Sequence, residues 1–527
     1  MLPFIYMKDL TEGKPIKVIW LYALPMILGQ IAQQLYNFCD SAIVGNCINP
    51  EALAAVGATS VISNTLIGFL NSATLGLSIP IARYFGAQDK KNMRKCIGVS
   101  AILTLVSAIV LTIVGLLFIY DLLVLLDTPE KIIHMADNYV KYILAGLIFS
   151  AVYNFGANLL RAVGDSKTPL IFLSISVVLN IGLDLLFIQV FQSGVAGAAI
   201  ATVISQAVAG IACFIYIFTK CRFLIPEKDE FRVARADFND LVQSALAMGF
   251  MSCIVNFGTV TLQSSINKLG TNIITAHTAA RKIFDILDVV LYIIGNAVTT
   301  FVSQNLGAKE YERAKKGAIF GIVSCAVVAA VIGIVEYIYA PWLVGIFAKA
   351  PKAAEFGVIQ ERTVCLFYFL LAFSHSATGV LRGCGKSVIP MATMLGFWCG
   401  FRIVYVTIAI RIVPVFKTIC WAYPITWSLS SLVFLLFLFC MEPFHFPGKG
   451  LICPEFPEKD QGINTGNAHN GKNNPGHGSE CAEEVADQVK FKKTDESPVN
   501  SSNDDQYQSC NVKPVPFHVN SSFREAA

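Results

Sequence analysis

Asp40 and Asp184 stand inside long apolar runs of the first half of this chain. A carboxylate near the centre of a membrane helix costs about 2.5–3.5 kcal/mol even on lenient insertion scales, so an acid kept there usually has work to do. Two such groups sharing a poorly hydrated pocket cannot both ionise cheaply. The pair can therefore take up a proton or a cation and give it back. Amide and hydroxyl side chains recur at helical spacing nearby. Gln33, Asn37 and Asp40 fall at i, i+4 and i+7 beside Tyr36, while Asn154 and Asn158, Asn180 and Asp184, and Thr202 and Gln206 are i, i+4 pairs. That spacing puts each set on one helix face. Facing lipid would leave these groups unpaired, so the stripes are expected to turn inward around a shared cavity.

The elements that must position them are transmembrane helices. The 527 residues are 55% hydrophobic and 14% charged, with a mean hydropathy of +0.60, too apolar for a soluble enzyme of this length. Twelve apolar runs are long enough to span a bilayer: 20–44, 52–84, 96–126, 136–163, 169–190, 196–218, 238–269, 273–306, 314–347, 356–381, 388–413 and 415–441. Their continuous hydrophobicity excludes a barrel. The fold class is thus all-α, a polytopic membrane protein. No cleavable signal peptide is expected, because Lys8, Lys14 and Lys17 lead into a first run that is too long and lacks a small-residue cleavage site. Lys and Arg crowd alternate loops, as at Arg83, Lys90, Lys91, Arg94 and Lys95 and again at Lys309, Arg313, Lys315 and Lys316. By the positive-inside rule both termini are cytoplasmic in a multi-pass plasma (inner) membrane protein. The net charge of +4 then reflects topology, and no nucleic-acid partner is expected.

The fifteen cysteines are scattered, mostly through apolar spans, without a C-x-x-C, and are read as small core hydrophobes. His277 and His375 are expected to be packed and hydrogen-bonded. No metal is expected beyond a Na⁺ at the acid pair. There is no His-Glu-x-x-His and no phosphate-binding Gly-x-x-x-x-Gly-Lys-Ser/Thr, so the chain is read as a non-enzyme without a cofactor.

The chain also repeats itself. Phe85-Gly86-Ala87 returns as Leu306-Gly307-Ala308 (307 − 86 = 221), and Leu160-Arg161-x-x-Gly164-x-Ser166-x-x-Pro169 returns as Leu381-Arg382-x-x-Gly385-x-Ser387-x-x-Pro390 (385 − 164 = 221). Two motifs at one offset define two units of six helices each, a transporter design. The domain reading is a cytoplasmic segment 1–17, a six-helix lobe 18–219, a cytoplasmic linker 220–237, a second lobe 238–441 and a polar, disordered cytoplasmic tail 442–527.

Asp9-Leu-Thr-Glu-Gly13, Ala23-Leu-Pro25, Gln33-Gln-Leu-Tyr-Asn-Phe-Cys-Asp40-Ser-Ala-Ile-Val-Gly45, Ala52-Leu-Ala-Ala-Val-Gly57 and Arg161-Ala-Val-Gly-Asp-Ser-Lys-Thr-Pro169 resemble the multidrug and toxic compound extrusion (MATE) family. The resemblance continues through Ala276-His-Thr-Ala-Ala-Arg-Lys282 and Phe301-Val-Ser-Gln-Asn-Leu-Gly-Ala308, covering about residues 9–441. It implies two six-helix lobes around a V-shaped cleft, exporting organic cations in exchange for H⁺ or Na⁺. It also implies a cation-coupling set of Asp40, Asn180, Asp184 and Thr202, and a bend at Pro25 that accompanies cation binding.

Gln33, Tyr36, Asn37, Asn154, Asn158 and Gln206 are then the expected cavity-lining residues. In the second half the seventh span offers Asn256, Thr259 and Gln263 on one face but no acid, so no matching cation site is expected there. Asp285 and Asp288 in the eighth span and Arg402 in the eleventh are read as a salt bridge within that lobe, with substrate contact as their other possible role. The expected partners are small organic cations and membrane lipid, and the protein is read as a monomer. The competing readings are a flippase for lipid or lipid-linked oligosaccharide, which would need several cationic residues in the cavity, and an intramembrane aspartyl protease using Asp40 and Asp184 as its dyad.

Overall fold

The computed structural model describes residues 9–440 apart from 127, 268 and 414, so most of segment 1–17 is included and the tail 442–527 lies outside it. Among the described residues eleven helices are long and apolar enough to cross a bilayer, and a bent pair supplies the twelfth unit. The first half comprises α1 (Pro15–Cys47), α2 (Glu51–Gly86), α3 (Lys90–Leu125), α4 (Glu130–Ala145 with Leu147–Ala162), α5 (Lys167–Val190) and α6 (Gly194–Lys220). The second comprises α7 (Arg235–Asn267), α8 (Thr271–Gly307), α9 (Tyr311–Phe347), α10 (Pro351–Gly383), α11 (Val388–Ile412) and α12 (Phe416–Phe439). The two parts of α4 meet at 45°. Below, the face where α1 begins is the near face and the opposite one the far face.

The internal repeat is written into the backbone. Helix α2 ends with Asp89 N–H bonded to the Tyr84 carbonyl at 3.1 Å and Gln88 N–H to that of Phe85 at 3.0 Å, and α8 ends with Glu310 to Asn305 at 2.9 Å and Lys309 to Leu306 at 3.1 Å. Gln88 and Lys309, 221 residues apart (309 − 88), both adopt a left-handed φ, 56° and 62°. The ends of α4 and α10 repeat the device, with Asp165 bonded to Leu160 and Lys386 to Leu381, both at 2.9 Å. There the left-handed residue is glycine, Gly164 at 88° and Gly385 at 77°. These paired closures satisfy helix-end carbonyls that would otherwise be left open. A Cβ in that conformation costs about 1–2 kcal/mol. Gly164→Ala is accordingly expected to lower stability by about 1 kcal/mol, measured as a reduced midpoint of thermal unfolding in detergent.

The halves meet along α2 and α7, which run antiparallel. Phe69 packs edge-on against Phe250 at 5.6 Å between ring centroids. Toward the near face the Tyr84 hydroxyl donates to Asp237 Oδ1 at 2.6 Å, and Arg83 pairs with Asp240 at 2.9 Å. A second seam joins α1 to α8, where the Tyr22 hydroxyl reaches Thr300 Oγ1 at 3.4 Å and Leu10 N–H donates to Gln304 Oε1 at 3.2 Å. Arg313 of α9 straps the segment before α1 by donating to the carbonyls of Leu10 at 3.1 Å and Glu12 at 2.8 Å. Val18, Ile19, Tyr22, Ala23, Met26 and Ile27 thus join the hydrophobic core of the second half. The far part of α1 instead carries Asp40 into the first half.

Candidate functional site

Four helices of the first half deliver the polar cluster. On α1, Tyr36, Asp40 and Val44 form a buried stripe at i, i+4 and i+8. Helix α5 buries Leu173, Ser176, Asn180 and Asp184 along one face and passes into a π-helical turn, Leu186–Val190, just after the acid. Such turns recur at functional sites because they re-aim one face of a helix. Asp40 is 7% exposed, Asn180 1% and Asp184 0%. The two carboxyl groups lie close enough to interact, although no donor stands between them unless one carries a proton.

Helix α6 adds Thr202. Its hydroxyl donates to the Ala198 carbonyl at 3.1 Å and stands 2.8 Å from the Tyr36 hydroxyl. With the Thr202 proton committed to Ala198, Tyr36 is the donor between them, which leaves the phenol oxygen able to accept. Asp40 Oδ1, both oxygens of Asp184 and both polar atoms of the Asn180 amide are buried without a hydrogen-bond partner among the described residues. Orphaned polar atoms at that density are rare in folded proteins and call for a ligand. The open acceptors are all oxygen, a set suited to a proton or a hard monovalent cation.

Tyr139 of α4 also belongs to the site. It is 8% exposed and clusters with Val44 and Ile188, each four residues beyond one of the two acids on its helix. The residue hides in the apolar stripe Ile132, Ala136, Tyr139, Val140 and Ile143 of an amphipathic segment. Only the hydroxyl at its tip distinguishes it, and tyrosine is common in helix cores. Val44, Ile143, Ile188, Val195 and Ala198 pack with Tyr139 in one apolar cluster. That cluster keeps the acid pair out of bulk water.

The other expected lining residues scatter. Asn37 is exposed and Gln33 half-buried on α1, and Gln206 is half-buried on α6. Asn154 donates to its own helix at the Ser150 carbonyl, 2.9 Å. Asn158 donates to Thr74 Oγ1 of α2 and accepts from Arg161, both at 3.0 Å. Arg161 stands beside Tyr22, whose hydroxyl donates to its carbonyl at 2.8 Å. Tyr22 lies eighteen residues before Asp40, about 27 Å of helix. Asn158 therefore ties α2 to α4 near the near face, away from the acids. Pro25 is buried within α1 and does not end the helix.

In the second half the anticipated salt bridge to Arg402 does not form. Asp285 pairs with Arg281 of its own helix at 2.7 Å, and Asp288 with His375 Nε2 at 3.0 Å. Arg402 follows a π-helical stretch, Leu395–Phe401, and meets α12 instead. It donates to Thr426 Oγ1 at 2.9 Å and lies over the Tyr423 ring at 4.9 Å. An aromatic face and a hydroxyl take the place of the expected carboxylate. His277 is buried and hydrogen-bonded to Gln360 at 3.1 Å.

The MatE family pattern matches residues 25–186 and 247–408, one copy in each half. The "Probable multidrug resistance protein YpnP" of Bacillus subtilis (strain 168) is 29% identical over 396 residues, covering 74% of this chain and 87% of that protein. The "FAD transporter" of Shewanella oneidensis is 23% identical over 345 residues, 64% of this chain and 76% of that one. The solved outward-facing conformation of a multidrug resistance MATE family transporter of the MOP superfamily aligns with a TM-score of 0.78 at 23% identity, over 83% of this chain and 98% of the other. At that identity the structural match speaks for the fold.

Proposed function

The chain belongs to the MatE family, and from that premise we propose that it is a secondary active exporter of amphipathic organic cations, driven by inward flow of H⁺ or Na⁺ through the Asp40–Asp184 pocket. The observation that carries this reading is the pocket itself, in which Asp40 Oδ1, both oxygens of Asp184 and the whole Asn180 amide are buried without a hydrogen-bond partner among the described residues. Such a site is stable when one positive charge joins it. A coupling ion and an exported compound exchange for each other when each favours a different state of the same two-lobe assembly. Ion arrival would favour one arrangement of α1, α4, α5 and α6, and substrate the other.

Within this reading both termini are cytoplasmic, the protein is a plasma-membrane monomer, and the substrate enters between the lobes. The flippase alternative asks for cationic residues facing the cavity. Arg402, the residue that could have served, is 6% exposed and engaged with Thr426 and Tyr423. The test is purified protein in liposomes under an imposed pH or Na⁺ gradient, with uptake of a fluorescent organic cation compared with that of an anionic dye. Gradient-dependent uptake of the cation alone is the expected result. Uptake indifferent to both gradients would end the exchange reading.

A further inference from the structure

Glu336 of α9 and Glu361 of α10 form a second buried acid pair, in the half where the helix patterns announce none. They are 7% and 2% exposed, and Oε2 of each lacks a hydrogen-bond partner among the described residues. Glu336 lies eleven residues before the far end of α9 and Glu361 ten residues into α10, so both sit roughly 15 Å inside the far face. Tyr368 follows Glu361 by seven residues on the same helix face. Tyr368 is 1% exposed, and its hydroxyl lies close enough to both carboxyl groups to interact with them, although no hydrogen bond of good geometry is formed among the described residues. A 3₁₀ turn, Cys365–Phe367, lies between the glutamate and the tyrosine. Gly333 lets α9 approach the carbonyl of that turn so closely that a Cβ would collide with it.

Among the described residues neither glutamate is in a salt bridge. Arg362, adjacent in sequence, turns away to stack on Tyr337 at 5.2 Å. Arg281 lies across a small cavity that Glu361, Tyr368 and Tyr423 also line, but its guanidinium is paired with Asp285. The remaining titratable neighbours are the thiols of Cys365 and Cys420. Two carboxyl groups in a dry pocket without a basic partner need one positive charge. The pair is also no copy of the first site. The positions 221 residues earlier are Gly115 and Val140, and those 221 residues after Asp40 and Asp184 are Thr261 and Tyr405.

We infer that Glu336, Glu361 and Tyr368 form a second monovalent-cation site, taking H⁺ or Na⁺ independently of the Asp40–Asp184 pocket. The inference rests on the exporter reading only in giving that ion a part in exchange, since binding is read without transport. The experiment uses the full chain in detergent, with equilibrium binding of radioactive sodium at alkaline pH and proton uptake on a pH jump in weakly buffered solution. Asp40→Asn/Asp184→Asn is expected to retain one bound ion per chain, and Glu336→Gln/Glu361→Gln to lose that ion. Tyr368→Phe keeps the ion count but weakens apparent affinity about tenfold, the effect of one hydrogen bond to a charged site. Sodium label would identify the ion as Na⁺, and proton uptake alone as H⁺. A monodisperse glutamate double variant that binds as many ions as the parent would overturn the site, as would a Tyr368→Phe variant of unchanged affinity. If the parent binds two ions yet accumulates no dye, the site stands and the exporter reading falls.

Discussion

Asp184→Asn is expected to cut gradient-driven accumulation by about 100-fold, the upper part of the range for a coupling free energy of 1–3 kcal/mol. Asn is nearly isosteric with Asp but carries no charge to attract an ion and no acid proton to exchange. Asp184 is fully buried with both oxygens unpartnered, so no hydrogen bond from a protein donor is broken by the change. A group that merely braced the bundle would show the opposite pattern, with stability falling and transport following it. Here the melting temperature should hold or rise, because an uncompensated acid leaves a dry pocket. Substrate affinity measured at several pH values and Na⁺ concentrations should also lose its dependence on the coupling ion. Asp40→Asn should act in the same direction. If both variants accumulate dye like the parent, the coupling role of this pocket is wrong.

Much of this site is legible in the amino-acid sequence. An acid inside an apolar run is conspicuous, and the i, i+4 spacing of Asn180 and Asp184 places both on one face. The helices and the internal repeat are equally readable, since length, hydropathy and a constant offset survive without tertiary information. Spacing alone does not say how each stripe turns within the bundle. Asn154 and Asn158 share a face of α4, but one bonds its own backbone and the other α2, because α4 reaches the acid pair through its other segment. Tyr139 sits on that segment, and its place beside the acids depends on α1, α5 and α6 packing around it. Arg402 shows the same limit. A buried guanidinium calls for an acid on paper, and α12 meets it with Tyr423 and Thr426. Glu336 and Glu361 each stand alone in an apolar run as Asp40 and Asp184 do, but neither has an amide four residues away to mark a polar face, and only the packing of α9 on α10 makes them a pair.

Gly86→Val should impair transport by a different route, by preventing the near face from closing. At the crossing of α2 and α8 a Cβ on Gly86 would run into the backbone of Gln304, and one on Gly307 into the backbone of Arg83. Backbone cannot step aside as a side-chain tip can, so the helices must separate. Overpacking of this kind costs about 1–3 kcal/mol. When the open and closed states differ by only a few kcal/mol, the upper end of that penalty shifts their ratio by about 100-fold. The Arg83–Asp240 and Tyr84–Asp237 contacts lie within three residues of Gly86 on α2 and would be strained as the crossing opens. Spin labels on the near ends of α2 and α8 should report longer distances in Gly86→Val and Gly307→Val, with transport falling in parallel. Gly57→Ala, on the same helix but with nothing within 4 Å of its Cβ position, should leave distance and transport unchanged. Equal effects of Gly86→Val and Gly57→Ala would mean that helix propensity, and not the crossing, governs the response.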